Sequence, residues 1–80
     1  MDDNLALFLA EYRRAYLEDR EKHPEDHATH VEPEVVLERM AAAIQRGSYN
    51  KDSRAFRATC RYFKIPHTYK AINAFIGAPL

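Results

Sequence analysis

Residues 53–76 read SRAFRATCRYFKIPHTYKAINAFI, and the reading of this stretch decides the fold. Ala55, Phe56, Thr59, Cys60 and Phe63 recur at the i, i+3, i+4 spacing that gathers side chains on one face of a helix. Ile65-Pro66-His67 interrupts the pattern, because the residue before a proline is pushed out of the helical region. Thr68 then offers a hydroxyl to cap a new helix, in which Tyr69, Ile72, Phe75 and Ile76 resume the spacing. Gly77 followed by Pro79 is a double stop. Two short helices joined by a tight turn are predicted, over about 53–64 and 68–76, with Asp52 or Ser53 capping the first.

The same rules extend towards residue 1. Gly47 is the expected left-handed stop of a helix over 33–46, which buries Val36, Met40, Ala43 and Ile44. Pro33 suits the first turn of that helix, where its missing N–H costs nothing. Glu32, Glu34 and Arg46 sit at the helix ends whose partial charges they complement. His23-Pro24 opens a polar loop of roughly ten residues that reaches to Glu32. Before it, Leu5, Phe8, Leu9, Tyr12 and Tyr16 mark a helix over 4–22. Leu7 and Leu17 lie off that stripe, so the first helix is expected to meet neighbours on two sides. No stretch alternates with period two. A compact all-α domain of four helices, spanning residues 1–80 and ending in a helix-turn-helix-like hairpin, is the predicted fold.

Composition narrows the function. The 80 residues are 46% hydrophobic and 30% charged, the balance of a folded domain rather than a disordered chain. Net charge is zero, but residues 1–46 carry eleven acids against six bases, and residues 47–80 carry one acid against six bases. The halves are therefore −5 and +5. Either the basic half meets a polyanion or the two halves attract each other within the fold. On a helical wheel Arg54, Arg57, Arg61 and Lys64 fall within an arc of about 80°, opposite the apolar stripe. Aligned cations repel, and phosphate contact is one reason for a sequence to tolerate them.

Ala58 through Ile72, within the span 54–76, resembles the helix-turn-helix motif of DNA-binding proteins. Ala55 or Ala58 stands for the small residue that lets the two helices approach, Phe63 and Ile65 flank the turn, and Thr68 begins the second helix. Lys64 stands where the family commonly has glycine. The resemblance implies that His67, Thr68, Tyr69, Lys70 and Asn73 approach base edges, with Lys70 and Asn73 the better placed. Residues 48–53 and 67–72 also look like segments of short proteins of bacterial plasmids and phages. That likeness implies either a DNA-binding regulator or accessory factor, or an inhibitor that docks on a host protein.

The expected ligand is double-stranded DNA, with Lys51, Arg54, Arg57, Arg61 and Lys64 on phosphates and His67, Thr68, Lys70 and Asn73 near bases. A two-fold dimer would match palindromic sites. Tyr49 and Tyr62 lie off the apolar faces and are candidate interface residues, although Tyr49 could equally cover the hairpin. A host protein is the alternative partner. His23, His27 and His30 share a loop with Glu25 and Asp26, but no folded scaffold fixes four ligands, so no metal or other cofactor is expected. Cys60 falls between Phe56 and Phe63, the place of a core residue rather than a nucleophile, and no glycine-rich phosphate loop exists. No enzymatic activity is expected. Met1-Asp2-Asp3 lacks the basic start of a signal peptide, and no apolar run approaches the ~18 residues of a membrane span. With a single cysteine, this suits a cytoplasmic protein.

Overall fold

The computed structural model describes residues 3–27 and 31–77. Four helices follow in order: α1 (Asp3–Lys22), α2 (Pro33–Arg46), α3 (Arg54–Phe63) and α4 (Tyr69–Ile76), with no strand among the described residues. Each boundary has a local cause. The Ser53 hydroxyl accepts the Phe56 N–H at 3.2 Å and starts α3. Thr68 does the same for α4, accepting the Ala71 N–H at 3.1 Å. Gly47 ends α2 at φ 74°, with its own N–H on Ile44 O and the Ser48 N–H on Ala43 O. That is the paired bonding of a Schellman stop.

The loop after α1 holds more order than its polarity predicts. Pro24–Asp26 forms one 3-10 turn, closed by the Asp26 N–H on His23 O and the His27 N–H on Pro24 O. Proline's fixed φ favours such a turn where the chain leaves a helix.

Helix α1 is the hub. Helices α2, α3 and α4 all pack on it, and α3 runs antiparallel to it. Phe8 near the start of α1 meets Phe56 and Phe63 at centroid distances of 5.0 and 6.1 Å, and Asp19 near its end meets Arg54. The core comprises Phe8, Tyr12, Ala15, Ile44, Tyr49, Ala55, Phe56, Cys60, Ile72 and Ile76. Full burial of one such large apolar side chain stabilises by roughly 1.5–3 kcal/mol. Thr59 is the one buried polar residue among those described, and its Oγ1 donates to Ala55 O at 2.7 Å. Leu7 is 55% exposed, so α1 meets its several neighbours without it. No helix among the described residues is long and apolar enough to cross a membrane.

Candidate nucleic-acid interface

The four cations of α3 share a helix face but not an environment. Arg54 begins the helix opposite the inner side of α1. Its Nε donates to Asp19 Oδ1 at 2.7 Å and its Nη2 donates to Asp26. Asp19 also accepts His27 Nε2 at 2.8 Å. The bond from Arg54, helped by His27, holds the Asp19 carboxyl below its usual range although burial opposes ionisation. The sequence assigned Arg54 to phosphate; in the structure its donors are taken by two carboxylates.

Arg57, Arg61 and Lys64 stand differently. All three are exposed, and none has a carboxylate within ion-pair distance among the described residues. Between α1 and α3 lies a cavity of about 320 Å³ with a floor of Ala15, Ala55 and Ala58. Arg57 and Arg61 form its α3 wall; Glu18 and Lys22 line the α1 side. The short alanine side chains leave this space between the helices unfilled. Glu18 is paired with Lys22 and Arg14, each at 3.1 Å, which pull its pKa down and keep it ionised.

Lys64 ends α3 in the left-handed region at φ 58°. Its N–H bonds Arg61 O and the Ile65 N–H bonds Cys60 O, the same stop that Gly47 makes. It is the one described non-glycine residue at positive φ. The turn then runs to Thr68, and its residues are stitched to the loop before α3. His67 Nε2 donates to Lys51 O at 2.5 Å, and Lys51 pairs with Asp52 at 3.0 Å while its ammonium lies 5.2 Å from the Tyr69 ring centroid. The Tyr69 hydroxyl donates to Tyr49 O at 3.2 Å.

Two expected contact residues turn inward. Tyr49 is 3% exposed, stacked on Phe56 at 5.3 Å, and its hydroxyl donates to Asn73 Oδ1 at 2.6 Å. It covers the hairpin instead of serving as an interface, and it occupies the Asn73 oxygen that adenine would need. Burial pushes the Tyr49 phenol from 10.0 up to about 12. At the start of α4, Thr68 spends its hydroxyl on its cap, which leaves Lys70 as the exposed, unpaired donor of that helix. Tyr62, by contrast, is 62% exposed.

Outside this face, His23 Nδ1 lies 3.6 Å from Glu25, and His23, Glu25 and Asp26 bring ligand atoms within 4.8 Å of one another. His27 turns away to Asp19, and His30 lies outside the described residues. Cys60 is buried, and burial raises its thiol pKa. Sequence reasoning missed Asp19 as the partner of Arg54. The signal was present, since Asp19 falls on the Phe8, Tyr12, Ala15 face of α1, where an acid needs a partner. No family model, curated protein or solved structure matches this chain.

Proposed function

We propose that this protein binds double-stranded DNA through the phosphate backbone, using Arg57, Arg61 and Lys64 on the outer side of α3 and Lys70 at the start of α4. One observation carries the reading: these cations lack carboxylate partners among the described residues, whereas Arg13, Arg14, Lys22, Lys51 and Arg54 each have at least one. Arg39 and Arg46 on α2 also lack a carboxylate partner among the described residues, but both stand on a different helix from the aligned set. Guanidinium groups bind phosphate in two-point contacts, and every phosphate neutralised releases condensed counterions. With Asn73 and Thr68 engaged inside the protein, base reading is sparse. The binding is therefore weakly sequence-selective, in the manner of an accessory factor more than an operator-specific regulator.

The test is fluorescence anisotropy with a labelled random-sequence duplex at two or more salt concentrations. Three or four phosphate contacts give a slope of log affinity on log salt near −3. No binding at micromolar protein in about 50 mM salt overturns the reading, because nonspecific electrostatic binding registers there. Capture of an acidic protein from nuclease-treated lysate in that case favours an inhibitor of a host protein.

A further inference from the structure

Helix α3 carries, outside the cavity lining, an exposed aromatic ring that the phosphate contacts leave unused. Tyr62 follows Arg61 and stands one helical turn beyond Ala58, both of which line the cavity. Its ring is not loose. Phe63 meets it edge-on at 4.9 Å with an interplanar angle of 88°. Phe63 is in turn fixed against Phe8, stacked at 6.1 Å, and against Phe75 at 5.1 Å. The core therefore props an exposed ring on the same helix as two guanidiniums unpaired among the described residues, next in sequence to Arg61 and five residues after Arg57. Ring exposure of this kind otherwise wastes the area an aromatic side chain can bury.

A propped aromatic next to a cationic groove is the arrangement that accepts an unpaired nucleotide. The base stacks on the ring, and the flanking phosphates meet the cations. Arg57 and Arg61 are about 6 Å apart along the helix axis, so each can engage a different phosphate of one strand. Acids on the α1 wall do not oppose this, because Glu18 is held by Arg14 and Lys22 and Asp19 by Arg54. A base paired inside an intact duplex has no free face to offer Tyr62; a base at a strand end or overhang has one.

Resting on the DNA-binding reading above, we propose that Tyr62 with Arg57 and Arg61 forms a subsite for one unpaired nucleotide, so that the protein favours duplex ends carrying single-stranded overhangs. Anisotropy compares three labelled probes: a blunt duplex, the same duplex with a short thymidylate overhang, and the same overhang made of abasic nucleotides. The thymidylate overhang raises affinity about tenfold over the abasic one, which carries equal charge without bases. Tyr62→Ala removes that increment and leaves blunt-duplex affinity unchanged, and Tyr62→Phe keeps it. Equal affinity for thymidylate and abasic overhangs overturns the subsite while DNA binding stands. So does a Tyr62→Ala variant that keeps the tenfold increment. Failure to bind any of the three probes overturns DNA binding and the subsite together.

Discussion

The two ends of the basic face of α3 were built from the same kind of residue and came to opposite fates. At the N-terminal end, Arg54 points at Asp19 and Asp26, and a guanidinium has become part of the scaffold. From Arg57 onward the α1 side of the cavity offers Glu18, already paired with Lys22 and Arg14, and the guanidiniums have no carboxylate partner among the described residues. The difference lies in what α1 presents along its length. Where α1 carries an unpaired acid on its inner face, as at Asp19, the cation is absorbed; where its acid is already held by its own helix, as at Glu18, the cation is left over. Charge in a sequence is thus a supply, and the packing of a distant helix decides how much of it reaches the surface.

The largest expected effect breaks the comparison directly. Replacing both Arg57 and Arg61 by alanine removes two phosphate contacts, which lowers duplex affinity roughly fiftyfold near 0.1 M salt and flattens the salt slope by about two. Melting temperature is unchanged. Arg54→Ala gives the mirror result: a lower melting temperature by circular dichroism and an unaltered salt slope. Equal slopes for the two variants would erase the distinction between the ends.

Acid titration sharpens the same contrast. The carboxyl of Asp19 ionises below its unfolded value of 3.8, so its contribution is present above about pH 4 and lost as pH falls through the folded value. Thermal melts between pH 6 and 3 therefore lose stability more steeply in the wild-type protein than in Asp19→Asn, which lacks the titrating group. Parallel profiles would mean that the Arg54 pair contributes nothing to folding.

Much of the fold was legible because it is written locally. The Ser53 and Thr68 caps, the Gly47 stop and the Pro66 break each act within a few residues, and α2, α3 and α4 begin and end where such signals stand. The site was less legible. Arg54 and Asp19 are 35 residues apart, and Tyr49 and Asn73 are 24 apart, so neither pairing leaves a periodic trace. Tyr49 read as exposed because it sits in a short polar segment, yet that segment closes over Phe56. Removing its hydroxyl in Tyr49→Phe strands Asn73 Oδ1 and costs about 1 kcal/mol. A urea midpoint shift at unchanged m-value measures this loss, and duplex binding stays the same.

The smallest effect concerns Lys64. Gly47 and Lys64 fill the same position of the same helix stop, at φ 74° and 58°, but a lysine there carries a strain of roughly 1 kcal/mol that glycine avoids. Lys64→Gly therefore stabilises the fold by about 0.5–1 kcal/mol while reducing the salt slope by about one. Stability gained together with binding lost would show a side chain kept for its ligand at the expense of its backbone.

The hub position of α1 has a consequence for how the molecule is made. Asn4 Nδ2 donates to Phe75 O across 71 residues, and the aromatic cluster around Phe8 needs Phe63 and Phe75 from the other end of the sequence. Helix α1 is thus synthesised before α3 and α4, which supply the rings that cover Phe8. Until residues 56–75 have cleared the exit tunnel, the ring cluster around Phe8 is incomplete, so the core closes late in synthesis.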